Sequence, residues 1–413
     1  MVWFLTLLMT YGGYYFADAT IYDVNLGALR IQIHVVIDED GKVVLVTDKP
    51  PNNPEARRIE KAVLLPHLTD FYSLVQERGL GFDIDLDASV QARMHAHLQK
   101  VGVGALRDPV FPPGGLEPDV WRGVRILSQR GYLEVKGGPS VHFSIVVDPD
   151  QPDAPLNLPE TGPITFWWSN LGPEDPVVWP NHPILVRQLI DRFHRAGHKV
   201  GAYIQDARPE ELKSLYSFPF DFYEGLPAEG VNIEDFPKDV IWVPLAGLND
   251  KRYCAKNFKQ RLGRIRNLLL YDQADIAVVE DRLDSIAYRI ADRCGVWQKR
   301  RDKVLQPVAD WIARGGKLGI GSGGGHLFSF TAEIAFELQT LERLGAEQKQ
   351  LLRSLYSINP GLLGHAQPYL EVGRPANFVV YRQDRFWGRL IEGVVDLNFV
   401  NGKQILSRQL RLE

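Results

Sequence analysis

Between Tyr14 and Thr47 apolar and polar positions alternate at a short period, in the runs YYFADATIYDV (Tyr14 to Val24), LRIQIHVVI (Leu29 to Ile37) and KVVLVT (Lys42 to Thr47). β-Branched and aromatic residues dominate these runs, and the turn Asp38-Glu39-Asp40-Gly41 separates the second from the third, so the pattern predicts a β unit. From Leu64 the texture changes. Short apolar runs alternate with stretches whose apolar positions recur every three or four residues, the βαβ rhythm of a parallel sheet or barrel. Candidate strands fall at Leu64 to Leu68, Val103 to Arg107, Val141 to Val147, Ile164 to Trp168, Val200 to Ile204, Phe220 to Tyr223, Ile241 to Leu245 and Lys317 to Gly321. Eight is the number that closes a (β/α)8 barrel. Helices are expected outside it at Ala274 to Arg293 and Ala332 to Leu344, and Ser89 to Val101 reads as the helix before the second strand. After Gly364 strands return at Asn377 to Tyr381 and Val394 to Val400, ending in the turn Asn401-Gly402, so β residues flank the barrel on both sides.

A chain of 413 residues with 45% hydrophobic and 24% charged side chains has the composition of a globular protein and the length of a large barrel with an attached unit. The formal net charge of -4 gives no global attraction to a polyanion, which argues against nucleic acid as a partner. The two cysteines, Cys254 and Cys294, form no metal-ligand motif and fit free thiols in a reducing compartment, with a disulfide left open. Residues Met1 to Phe16 carry no charge and are followed by Ala17-Asp18-Ala19, which resembles the small-residue site of a signal peptide, although a positive n-region is missing. The apolar stretch is too short to span a membrane. A cytoplasmic protein is expected, export being the alternative, with residues 1–13 packing in a subunit interface.

Four further stretches resemble the amidohydrolase superfamily, in its imidazolonepropionase-like branch. Leu64-Leu65-Pro66-His67-Leu68-Thr69-Asp70-Phe71-Tyr72 corresponds to a first strand that usually reads Pro-Gly-(apolar)-(apolar)-Asp-x-His-x-His, and Gly102-Val103-Gly104-Ala105-Leu106-Arg107-Asp108 to a second strand ending in Arg-Asp. Ile358-Asn359-Pro360-Gly361-Leu362-Leu363-Gly364 and Glu371 to Val380 match, in order and spacing, two motifs near the family's C-terminus. The resemblance implies a (β/α)8 TIM barrel over 64–365 and a β-sandwich domain built from 1–63 and 366–413.

In the family a metal at the C-terminal mouth of the barrel lowers the pKa of bound water from about 15.7 toward 7, and the hydroxide attacks a carbonyl carbon. That chemistry needs imidazoles and a carboxylate. Alignment instead places Tyr72 and Leu74 at the two histidines of the first strand, Thr165 at the lysine of the fourth, Tyr203 at the histidine of the fifth and Gly323 at the aspartate of the eighth. None of these offers an imidazole, a thiolate or a carboxylate, so no metal and no other cofactor is expected. The literal HxH at His95-Ala96-His97 lies on the helix before the second strand, where residues two apart point away from each other and cannot share a metal. His67 and His326 are placed near the barrel mouth or strand ends, as hydrogen-bonded structural histidines rather than a metal pair.

The expected function is therefore a noncatalytic member of the superfamily with a binding or assembly role, forming a homo-oligomer or a hetero-oligomer with a related subunit and holding a small molecule, if any, at the barrel mouth. The aromatic Phe166-Trp167-Trp168 and Trp179 are taken as apolar surface that such a partner covers. An alternative is an active hydrolase of C–N bonds with an atypical site, using Asp70, Tyr203, Glu224 or His326. A third reading is a small-anion binder at the glycine loop 319–325, through Gly321, Ser322, Gly323 and Gly324 with Arg107 nearby.

Overall fold

The computed structural model describes residues 13–52, 56–73, 88–109, 125–128, 132–135, 144–156, 162–168, 179–248, 294–323, 334–364 and 369–405. Two compact units divide the chain, the first formed by Met1–His67 with Gln367–Glu413 and the second by Leu68–Ala366.

In the first unit β1 (Tyr14–Asp23), β2 (Ala28–Ile37) and β3 (Val43–Thr47) form an antiparallel meander, and β4 (Arg57–Glu60) and β5 (Ala62–Leu65) both run parallel to β1. The turn before β3 is set by Asp38, whose side chain accepts from the Lys42 N–H at 2.8 Å, as the short polar side chain at that position predicts. Ala17, Asp18 and Ala19 lie inside β1, with both alanines fully buried, so cleavage at the site resembling a signal peptide would divide a central strand.

The second unit is a curled, parallel α/β layer. One sheet carries β6 (Leu68–Asp70), β7 (Val103–Asp108) and β8 (Arg125–Ser128), all parallel. A seven-stranded sheet runs in the order β10, β9, β11, β12, β13, β14, β15, where β9 is Tyr132–Val135, β10 Ser144–Val147, β11 Ile164–Trp167, β12 Val200–Tyr203, β13 Phe222–Glu224, β14 Ile241–Val243 and β15 Lys317–Leu318. Its strand pairings are all parallel among the described residues. The two sheets meet where the Phe71 N–H donates to the Ile320 carbonyl and the Gly323 N–H to the Tyr72 carbonyl, both at 3.0 Å. Helices accompany the strands: α1 (Ala88–Lys100), α2 (Pro183–Arg195), α3 (Pro209–Leu215), α4 through 294–313, α5 (Ala335–Arg343), α6 (Gln348–Arg353) and, after a π-helical turn at Ser354–Ile358, the short α7 (Asn359–Leu362).

Several expectations are corrected. The run Leu64–Leu68 is not one strand. Pro66 has no N–H to continue a ladder, and the chain leaves the first unit's sheet after Leu65 and enters the parallel sheet at Leu68. Strands β8 and β9 were not anticipated, and the expected helix at 274–293 lies outside the described residues. Phe166, Trp168 and Trp179 are buried within their own unit, Phe166 meeting Trp179 edge-on at 4.8 Å, so they offer no surface for a partner. Cys294 is disulfide-bonded, which corrects the expectation of free thiols; Cys254, the chain's other cysteine, lies outside the described residues. No helix among the described residues is long and apolar enough to cross a membrane.

At the N-terminal end of β13, Asp221 gathers Lys199 Nζ, the Val200 N–H and His194 Nε2, each at 2.8 Å. Burial by itself would raise the Asp221 carboxyl, but these hydrogen bonds more than offset that and hold it below the usual carboxylate range. A depressed folded-state value stabilises above the unfolded value of about 4 and stops doing so as pH falls through the folded one. Wild type is therefore expected to exceed Asp221→Asn in urea midpoint at neutral pH, the gap closing below about pH 4. A gap that stays constant down to the acid limit would count against this ion cluster.

The chain ends its described part in the first unit, where β16 (Phe378–Arg382) pairs antiparallel with β5, α8 (Phe386–Ile391) follows, and β17 (Leu397–Val400) and β18 (Lys403–Ile405) complete the edge. The result is a single mixed sheet of eight strands rather than an evident two-sheet sandwich. Asn401 and Gly402 both adopt left-handed backbone, φ 50° and 79°, as the expected two-residue hairpin turn requires. Phe16, Phe378 and Phe399 form the aromatic centre of this unit's core.

Candidate functional site

The interior of the parallel unit is organised by one cation. Arg107, at the C-terminal end of β7, is fully buried and reaches across to two other strands: one guanidinium nitrogen donates to Glu224 Oε2 on β13 at 2.8 Å, the other to Thr165 Oγ1 on β11 at 2.7 Å. Its Cζ lies 4.8 Å from the centroid of the Phe71 ring, a cation–π distance. Glu224 is likewise fully buried, so the pair is a desolvated ion pair. Such a pair holds together through geometry: each charge would cost several kcal/mol if left alone in that environment.

A second set of contacts ties β6 to the segment after β15. Asp70 Oδ1 accepts from the Ser322 N–H at 2.8 Å and the Tyr72 N–H at 3.2 Å, and Ser322 Oγ donates to the Tyr72 carbonyl. Asn359, at the start of α7, uses its whole amide. Its Oδ1 accepts from the Ile320 N–H at 2.9 Å, and its Nδ2 donates to the carbonyls of Thr69 and Ile320, both at 2.7 Å. Nearby, the buried Glu337 of α5 receives the N–H groups of Ala246 and Gly247 at 3.0 and 2.6 Å.

The remaining volume is apolar. Phe71, Tyr72, Tyr203, Phe222, Leu245 and Leu248 belong to one cluster, and the Tyr203 ring stacks 4.6 Å from that of Trp167. Three of the positions aligned with metal ligands are therefore committed otherwise: the Thr165 hydroxyl accepts from Arg107, and Tyr72 and Tyr203 pack in the cluster. At the fourth, Gly323 has left-handed backbone at φ +59°, and a Cβ there would sit 2.9 Å from Leu248 Cβ. Leu74, the fifth, lies outside the described residues. The donor set at the described positions does not fit a metal ion, and among the described residues no group of three or more His, Cys, Asp or Glu side chains could hold one.

Of the candidate residues, the structure brings together Asp70, Arg107, Glu224, Tyr203 and Gly321 to Gly323 within this unit, while Gly324 and His326 lie outside the described residues. The glycine loop is a weaker anion cradle than its sequence suggested, since the N–H groups of Gly319, Ile320, Ser322 and Gly323 donate to Trp242, Asn359, Asp70 and Tyr72. His67 lies between the ends of β5 and β6. It belongs to the first unit, where its Nε2 meets Asn398 Oδ1 at 2.7 Å. His95 and His97 sit on α1, and burial, helped by Lys100, lowers the His97 imidazole to about 4. Sequence reading missed the roles of Asn359 and Glu337. Asn359 stood inside a quoted motif, so a signal was there, whereas Glu337 looks like any helix carboxylate.

Filling the eighth-strand position should not recreate a metal centre. Gly323→Asp is expected to lower the melting temperature by a few degrees, from the left-handed backbone and the contact with Leu248, and to show no zinc-dependent turnover. Zinc-dependent hydrolysis by this single variant would mean that other residues supply the imidazoles.

No family model and no curated protein sequence matches the chain. Solved structures do. A prolidase in complex with N-methylphosphonate-L-proline superposes with a TM-score of 0.63 at 17% identity, covering 96% of this chain and 100% of its own. An amidohydrolase matches with a TM-score of 0.61 at 15% identity over 97% and 100% of the two chains, and the ochratoxinase of A. niger with 0.63 at 13% identity over 95% of each. The fold of this chain is that of the amidohydrolase superfamily, the family its sequence resembles.

Proposed function

We propose that this chain is a noncatalytic amidohydrolase-fold protein whose former reaction centre has become a structural core, kept for binding or assembly. The observation that carries the reading is the Thr165 hydroxyl, which stands at the position aligned with the family's fourth-strand lysine and is held, with the Glu224 carboxylate, by the buried Arg107 guanidinium. A fixed organic cation supplies positive charge inside the unit but has no vacant coordination site and polarises no water. The reading takes the curled parallel sheet as a (β/α)8 barrel over 64–365 and the eight-stranded sheet as the family's composite β domain, from 1–63 with 366–413. It keeps a homo-oligomer or a hetero-oligomer with a related subunit as the assembled form. Of the two compartments considered, the disulfide at Cys294 favours an oxidising one over the cytoplasm.

The test is elemental analysis together with a chelator melt. A zinc coupled to folding contributes on the order of 10 kcal/mol, so its removal would be plain. The purified protein is expected to hold no stoichiometric zinc, iron or manganese and to melt at the same temperature with and without chelator. About one metal per chain, lost on chelation with a fall in melting temperature, would overturn the proposal.

One observation favours a second reading. The similar structures include a prolidase and an ochratoxinase, and a chain of their fold could hydrolyse C–N bonds through Asp70, Tyr203, Glu224 or His326. Turnover of Xaa-Pro dipeptides that is abolished by Asp70→Asn would establish it.

A further inference from the structure

A cavity of about 410 Å³ opens on the first unit, within the range of small-molecule sites. Its floor is polar yet buried. The Tyr15 hydroxyl lies 3.0 Å from His34 Nδ1, and both residues are about 5% exposed. The Asp18 N–H also points at Nδ1, at 3.5 Å, which makes that nitrogen the acceptor and leaves the ring proton on Nε2, 3.8 Å from the Asp18 carboxylate. Tyr15, His34 and Asp18 thus form a polar chain running from the floor to the rim.

The charges on the rim decide what would enter. Asp18 and Asp48 both line the opening, and among the described residues no side chain forms an ion pair with Asp48. The one lining arginine, Arg58, has its guanidinium 5.6 Å from the Tyr15 ring and 3.0 Å from Glu60, which shares its charge. The mouth therefore presents two carboxylates against one arginine that a third carboxylate already holds, above an aromatic and imidazole floor and beside the apolar rings of Pro50 and Pro51. An anion would meet two like charges there. A protonated amine with a short carbon body would pair with the carboxylates and lay its methylene groups against the prolines.

We infer that this cavity is a binding site for a small organic ammonium ion, separate from the interior of the parallel unit and independent of whether that interior is catalytic. Asp18 and Asp48 hold the ammonium, and the Tyr15–His34 pair fixes the floor beneath it. Exposed ion pairs are weak and screened, so affinity is modest and falls with salt.

The experiment titrates the full chain with butylammonium and with putrescine, using acetate as the anionic control, and follows the His34 imidazole and Tyr15 ring signals by NMR. Saturable shifts with both amines, weakened by salt and absent with acetate, are expected. Asp18→Asn/Asp48→Asn is expected to weaken amine binding about tenfold, as two surface ion pairs allow, with the melting temperature unchanged. Asp48→Asn alone, at an exposed rim position, should weaken it severalfold and covers the case in which the double variant folds poorly. No saturable shift up to about 50 mM amine would overturn the inference. So would acetate binding as well as the amines, or amine binding untouched in the carboxylate variants.

Discussion

Arg107→Met is expected to destabilise the parallel-sheet unit by about 3–5 kcal/mol, because it removes the cation 2.8 Å from a fully buried Glu224 and the donor to Thr165 while keeping much of the side-chain volume. The loss should be read as a shifted urea midpoint with an unchanged slope. Glu224→Gln made in the same chain removes the stranded charge, so the double variant should regain part of that loss, with a coupling energy of at least about 1 kcal/mol. Were Arg107→Met as stable as wild type, the guanidinium could not be what organises this interior. A Lys at 107 should recover little. A single ammonium cannot reproduce the planar fork that serves Thr165 and Glu224 together.

Asn359→Ala should cost about 3 kcal/mol, since the side chain makes three buried hydrogen bonds to backbone groups of Thr69 and Ile320, and its loss takes the acceptor from the Ile320 N–H and a donor from each of the two carbonyls. Asn359→Asp is the sharper variant. It keeps an acceptor for the Ile320 N–H but turns an oxygen toward two carbonyls, and is expected to be at least as damaging as alanine, despite its near-identical size. If Asp were tolerated at neutral pH, the Nδ2 contacts at 2.7 Å could not be holding β6 to the segment after β15.

Much of this was legible in the sequence. The period-two runs at Tyr14, Leu29 and Lys42 became β1 to β3, and the Asn401-Gly402 pair became the β17–β18 turn, because alternation and left-handed turn residues are local properties. Pro66 was read as part of one strand, although its missing N–H is what hands the chain from one sheet to the other. The aromatic run at Phe166 read as sticky surface because a sequence shows hydrophobicity but not which neighbours bury it; here Trp179 and Phe220 do.

By itself the sequence determined the alternation of strands and helices, the family resemblance, and which residue types stand at the positions aligned with the family's ligands, each a matter of residue type at a fixed place in the chain. Only the tertiary structure decided what the interior side chains touch. Arg107, Thr165 and Glu224 are separated by 58 and 59 residues, and no local pattern marks them as partners. They meet because parallel strands turn these side chains into one interior, where low polarity makes a lone charge costly. The cavity at Tyr15, Asp18, His34 and Asp48 has the same origin: neighbouring strands and the loop after β3 bring these side chains together, and pairing register, which a sequence does not state, selects which of them face one another.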